Sequence, residues 1–336
     1  MNPYDLISIG RACLDLYANE IGVALPEVKS FAAYVGGCPA NVAVGAARLG
    51  LKVAMVSAVG ADPVGDFVQR FLAAEGIETK YISRKPQHRT GAAALSIMPP
   101  DRFPLIYYRE NAADIQLDID DVLAAPFAQA RAVLISGTGL SKEPSRSATL
   151  LAAEQARAAG ATTFLDLDLR TDQWHDPRAY GVTMRAALRS IDVVIGTEDE
   201  LRACNLHDPS QLSVRDSQVS SANVTGDLAA AVQRVLDGGP RLVVVKQGRR
   251  GAALVEAGRE PVEIPGFPAE ILNTLGAGDA FAGGLLYGFA QGWDWPKAAR
   301  LGNACGAIVV TRHACSSAMP TMAEVEAFVH QRGETL

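Results

Sequence analysis

Six short runs of apolar, largely β-branched residues alternate with alanine-rich stretches of helical period, and this alternation limits the possible folds more than any other feature. The runs are LISIG at 6–10, VAMVSAVG at 53–60, AVLISG at 132–137, ATTFLDLD at 161–168, DVVIG at 192–196 and RLVVVKQG at 241–248. Between them lie Asn41 to Leu49, Pro63 to Glu75, Ser145 to Ala159 and Asp227 to Leu236, closed by Gly50, Gly76, Gly160 and Gly238, the expected helix stops. Strands apolar on both faces and separated by helices belong to a parallel sheet covered on two sides. Ligands of such α/β sheets bind beyond the carboxyl ends of the strands.

Two stretches break the rhythm. Residues 11–35 and 88–110 alternate like extended chain with no helix between, as in Leu105-Ile106-Tyr107-Tyr108-Arg109. They predict a small antiparallel sheet inserted into a core made of 1–10, 36–87 and 111–336. Such a sheet serves either as a lid over a site or as an edge extension. The polar, serine-rich span 207–227 reads as a surface excursion without catalytic role.

With 336 residues, 49% of them hydrophobic, the chain buries a sizeable core. A net charge of −6 without a basic block argues against nucleic acid, and 6% aromatic content argues against a stacking platform for single strands. The five cysteines form no CxxC pair, which suits a reducing compartment. His313-Ala314-Cys315 lacks a second ligand pair at zinc spacing. With no basic-then-apolar leader and no apolar run of about 20 residues, the expectation is a soluble, cytoplasmic protein without a membrane segment.

The stretch NTLGAGDAF at 273–281 carries the chemistry. Gly276, Ala277 and Gly278 precede Asp279 at the mouth of an apolar helix. A helix N-terminus has unsatisfied N–H groups and partial positive charge, and small residues let a phosphate approach them. A carboxylate there can take the proton of an attacking hydroxyl, completing what phosphoryl transfer needs. On GAGD alone, a plain N-cap by Asp279 is an equal reading. No Gly-Lys dipeptide occurs, hence no P-loop, and Gly137-Thr138-Gly139 lacks the third glycine of a dinucleotide fingerprint.

NTLGAGDAF resembles the DTxGAGD signature of the ribokinase-like (PfkB) sugar kinases, and GGCPANVAVGAARLG at 36–50 resembles that family's N-terminal signature. The resemblance spans essentially the whole chain. It implies a three-layer αβα core with a mostly parallel sheet and a small β-sheet lid through which homodimers often form. It implies Asp279 as base toward a sugar hydroxyl, with the backbone of Gly276, Ala277 and Gly278 as anion hole. Asp15, Gly36, Gly37 and Asn41 would hold the sugar. Lys246, Gly248 and Gly251 would lie along ATP, and Asn303 near its adenine. Glu200, in TEDE at 197–200, would act on Mg2+ through water. Two departures stand out. Thr197 replaces an asparagine, and Asn273 replaces an aspartate that in many relatives helps to hold a monovalent cation, which puts potassium activation in doubt.

Within the family, GRACLDLYANEIG, YYRENAAD, SGTGLSKEPSR, DLDLRTDQW and TRHACSSAMPT resemble the 5-dehydro-2-deoxygluconokinases of myo-inositol catabolism most, and the 2-keto-3-deoxygluconate kinases next. The implied reaction is ATP-dependent phosphorylation of the terminal hydroxyl of a deoxy keto-acid sugar. A substrate carboxylate calls for a cationic fork, and Arg109 and Arg170 are the candidates. Arg170 serves equally as a nucleotide-phosphate contact. A binding protein without transferase activity is the reading from a different class.

Overall fold

The computed structural model describes residues 3–214 and 222–336. Nine strands form the main sheet in the order Val262–Pro265, Gly251–Glu256, Leu242–Lys246, Val193–Thr197, Thr162–Asp166, Ala130–Ser136, Tyr4–Ile9, Val53–Gly60 and Ile82–Lys85. The seven from Leu242–Lys246 to Ile82–Lys85 are parallel, and the two at the other edge are antiparallel.

Successive residues of a strand face opposite ways, so each strand feeds two cores. Leu6, Met55, Leu134 and Phe164 pack under the helices Cys38–Arg48, Ala277–Ala290 and Trp295–Val309. Ile7, Ile9, Val133 and Leu165 pack under Ser145–Ala158, Pro177–Ala187 and Leu228–Asp237. The sequence reading missed the edge strands Val262–Pro265 and Ile82–Lys85 and the strand Gly251–Glu256 beside the first. Part of their surface faces solvent, so they lack the continuous apolar signal. Gly50, Gly76 and Gly160 have the positive φ of a helix stop, but Gly238 does not. There the stop falls to Gly239 (φ 130°), because Gly238 packs against the Leu188 side chain.

The small sheet runs Phe31–Gly36, Cys13–Ala18, Ala92–Leu95, Leu105–Tyr108. It is mixed rather than antiparallel as expected, because its inner pair is parallel, with Leu14 opposite Ala92. The cause lies upstream. Cys13 follows the strand ending at Ile9 and Ala92 follows the strand ending at Lys85. Both parent strands point the same way, so both chains enter the small sheet in one direction.

Of the polar excursion, Leu212–Ser213 and Asn223–Val224 form a two-stranded ladder, and residues 215–221 lie outside the described residues. Among the described residues no helix is long and apolar enough to cross a membrane.

Candidate active site

The chain enters helix Ala277–Ala290 through Gly276, which has φ 84°. An L side chain is strained there, and a Cβ would also stand 3.0 Å from the Cys315 sulfur. The Ala277 N–H turns to the Thr274 carbonyl at 3.3 Å. Ala277 therefore drops out as an anion-hole donor and serves by its small size. The N–H groups of Gly276, Gly278 and Asp279 keep no partner among the described residues. A Cβ on Gly278 would lie 3.2 Å from Lys246 Nζ, so that ammonium stands beside the positive end of the helix. Free N–H groups with a lysine at hand make an anion site.

Asp279 is the third residue of this helix, yet its side chain caps nothing. Instead one carboxylate oxygen accepts from Asn41 Nδ2 at 2.7 Å. The plain N-cap reading falls. Burial and the nearby Asp168 raise its pKa above the usual carboxylate value, while Asn41, Arg170 and Lys246 oppose the rise. Asn41 sits in the first turn of Cys38–Arg48, and its Oδ1 is buried without a partner.

The glycine pair before that helix has a steric cause. A Cβ on Gly36 would fall 1.9 Å from an Asp15 carboxylate oxygen, and one on Gly37 (φ 102°) would fall 2.4 Å from the Arg11 carbonyl oxygen. Glycine here makes room for the Asp15 carboxylate, whose burial, opposed chiefly by Arg11, lifts its pKa to about 6. Gly36→Ala therefore displaces Asp15. Where Asp15 holds a sugar and other residues hold ATP, as the family resemblance implies, the expected result is a rise in sugar KM of at least about tenfold with ATP affinity unchanged. Steady-state kinetics in each substrate check this, and an unchanged sugar KM would contradict it.

Asp15, Gly37, Asn41, Arg170, Gly276 and Asp279 all line one small cavity of about 40 Å³. Arg109 does not line it. Its guanidinium is buried and fully engaged by Asp114 (2.6 and 2.7 Å), Gln173 Oε1 (3.1 Å), the Thr138 carbonyl (3.1 Å) and Ser141 Oγ (3.3 Å). The expectation that Arg109 holds the substrate carboxylate is corrected: it ties the end of strand Leu105–Tyr108 to the core. Arg170 does reach the cavity, but Asp168 (2.8 Å), the Tyr107 hydroxyl (3.0 Å) and the Leu169 carbonyl (2.8 Å) take its donors. Asp168 has φ 38°, a left-handed backbone that aspartate and asparagine tolerate best.

Lys246 pairs with Asp166 at 3.1 Å and lies 3.8 Å from Glu200. Glu200 itself accepts from the Thr197 N–H (2.7 Å) and the Leu169 N–H (3.1 Å). Thr197 in turn accepts from the Glu200 N–H, so the unusual threonine completes a capping box. Among the described residues no three side chains gather as a metal cage. Mg2+ commonly keeps its waters and binds through one or two carboxylates plus phosphates, and Asp166 with Glu200 fits that mode. Asn273 is fully buried and bridges two loops, accepting from the Leu275 N–H (3.0 Å) and donating to the His313 carbonyl (3.3 Å). A neutral amide already so engaged does not fit a monovalent cation.

Gly248 (φ 59°) opens a turn with free space around it, while a Cβ on Gly251 (φ 101°) would strike the Ile264 carbonyl oxygen at 2.1 Å. Gly251 thus serves strand pairing. Asn303 spends its amide N–H groups on the Ile264 (3.0 Å) and Pro265 (3.1 Å) carbonyls, tying helix Trp295–Val309 to the edge strand and leaving only its oxygen for a nucleotide. Sequence reading missed Arg11. It lines the cavity at 3% exposure, its guanidinium 4.6 Å from the centre of the Tyr107 ring. Its place just past an apolar strand, four residues before Asp15, was the available signal.

Residues 4–322 match the model of the pfkB family of carbohydrate kinases. A 5-dehydro-2-deoxygluconokinase of Geobacillus thermodenitrificans is 38% identical over 97% of this chain and 93% of its own length. One of Bacillus anthracis is 37% identical over 99% and 96%. The structure of a Vibrio cholerae fructokinase with fructose, ADP and calcium ion superposes with a TM-score of 0.83 at 27% identity, covering 98% of this chain and 99% of that one. A helix-mouth anion site and a carboxylate held beside it in one cavity are what these enzymes' chemistry requires, and the chain belongs to the pfkB family of carbohydrate kinases.

Proposed function

We propose that this kinase transfers the terminal phosphoryl group of ATP to the terminal primary hydroxyl of 5-dehydro-2-deoxy-D-gluconate. The observation that carries the transfer is Asp279, held by Asn41 at 2.7 Å inside the cavity and beside the free N–H groups of the helix mouth. The choice of sugar acid is supported by the names of relatives 37–38% identical over nearly the full chain.

The steps follow from the residues. Asp15 and the unpartnered Asn41 Oδ1 accept sugar hydroxyls and orient the acceptor. Asp279 takes the hydroxyl proton as the oxygen–phosphorus bond forms and the bond to ADP breaks. The Gly276 and Gly278 N–H groups with Lys246 receive the transferred phosphoryl oxygens, whose charge is stabilised at the helix end. Gly248 leaves open space for the nucleotide. Asp166 and Glu200 would hold Mg2+ through water, and the ion would supply charge neutralisation on the phosphates. The small sheet acts as a lid that excludes water as a competing acceptor. Phe31, Ile106 and Tyr108, exposed on that sheet, support a homodimer through it; light scattering checks this, and a monomer removes that part.

A coupled ADP-release assay over a panel of sugar acids and neutral sugars tests the reaction. Turnover highest with 5-dehydro-2-deoxygluconate is expected. A preference for 2-keto-3-deoxygluconate would transfer the assignment to that kinase class, and stabilisation by ligand with no ADP production under any sugar would leave only a binding protein.

A pH dependence follows from Asp15. As an ionised acceptor it must be deprotonated, and its pKa stands at about 6. With sugar limiting, kcat/KM should fall as pH drops through about 6. An Asp15→Asn variant should lose that acid limb, and retention of the limb would assign it to another group.

A further inference from the structure

Arg11 is the cavity's one arginine without a bonded partner among the described residues. Its Nε is buried and unpaired, and none of its guanidinium nitrogens makes a hydrogen bond or ion pair with any described residue. The other buried cations nearby are engaged: Arg109 by Asp114, Arg170 by Asp168, Lys246 by Asp166. Buried donors without a partner are costly, so their retention calls for an acceptor that arrives from outside. The Arg11 guanidinium lies over the Tyr107 ring, a cation–π contact that holds it against the small sheet.

The charges order the cavity. Arg11 is the charged group acting most on Asp15, whereas Asp168, Arg170 and Lys246 are those acting on Asp279. Tyr107 lies opposite Ala93 and Ala93 opposite Asp15, so Arg11, set against Tyr107, stands at the small sheet with Asp15, whereas Asp279 stands on the helix mouth. A sugar acid phosphorylated at one end carries its carboxylate at the other. Asp279 would repel that carboxylate at the reacting end of the same cavity.

Resting on the sugar-acid reading above, we infer that Arg11 is the specificity-determining residue that receives the substrate carboxylate, in a forked pair of charge-assisted hydrogen bonds. The role that the sequence suggested for Arg109 passes to a residue 98 positions earlier.

The test compares wild type, Arg11→Met and Arg11→Lys on 5-dehydro-2-deoxygluconate, 2-keto-3-deoxygluconate and fructose, with ATP affinity and ligand-free Tm measured alongside. Arg11→Met should lose on the order of ten- to a hundredfold in kcat/KM for the acid that wild type prefers. Its ATP affinity should not fall, and its loss on fructose should be smaller than on the acid, arising only through a higher Asp15 pKa. Arg11→Lys, which keeps the charge but not the fork, should lose less than Arg11→Met. Ligand-free Tm of Arg11→Met should change little, since Arg11 makes no hydrogen bond or ion pair with a described residue; a residue with only a structural role would lower it. Equal losses on acid and neutral sugar, or no loss on the acid, overturn the inference while the kinase reading stands. If wild type prefers 2-keto-3-deoxygluconate and Arg11→Met loses that activity, the substrate assignment falls and the inference holds. A wild type that uses only neutral sugars removes both.

Discussion

Asp279→Asn is expected to lower kcat by about 10²- to 10⁴-fold, the usual contribution of a positioned general base. The exchange is nearly isosteric. An asparagine oxygen can still accept from Asn41 Nδ2, which lies 2.7 Å from the present carboxylate. What disappears is the ability to take the hydroxyl proton. ATP meets the helix mouth and Lys246 rather than the Asp279 carboxylate, so its Kd should stay within about twofold. Turnover by ADP release and ATP affinity by calorimetry separate the two effects. Turnover within about tenfold of wild type would remove the catalytic assignment.

Arg109→Ala should act on a different quantity. Removing one member of a buried ion pair costs about 3–5 kcal/mol, because the remaining charge is left without compensation. Asp114 is 3% exposed and already has one oxygen unpaired, so it cannot turn to water. Gln173 and the Thr138 carbonyl lose a donor in the same step. Urea unfolding without ligand is the measurement. A loss below about 1 kcal/mol, typical of a surface pair, would mean that the network is not structural. Arg109→Met together with Asp114→Leu should recover part of the loss, since an apolar pair leaves no charge behind.

These two residues mark how far the sequence was legible. Asp279, Asn41 and the Gly36-Gly37 pair could be found because backbone geometry dictates residue type at fixed spacing. A left-handed turn against Cys315 and a carboxylate lying over Gly36 admit only glycine. The central parallel strands were legible for a similar reason, since burial on both faces leaves a continuous apolar run. An arginine carries no such mark. Arg11 and Arg109 both sit near strand ends and are both nearly fully buried, and only the distribution of partners shows that one is satisfied and the other is not. Glu200 was legible as a residue but not as half of a capping box with Thr197, because a T-x-x-E stretch serves either purpose. The parallel inner pair of the small sheet depended on which way two distant strands point, which local periodicity does not encode.

The contacts that build the cavity span nearly the whole chain: Asn41 to Asp279 bridges 238 positions, and Tyr17 to Cys315 bridges 298. Gly276 also packs on Cys315. During synthesis, then, the glycine pair and Asp15 emerge long before the residues they face, and the half-cavity must wait with its buried groups uncovered. Loops this long close slowly and only after much of the core has formed. A nascent chain that stops short of residue 279 thus has its whole sheet but not the Asp279 carboxylate, and one that stops short of residue 315 still lacks the cavity wall that Cys315 supplies.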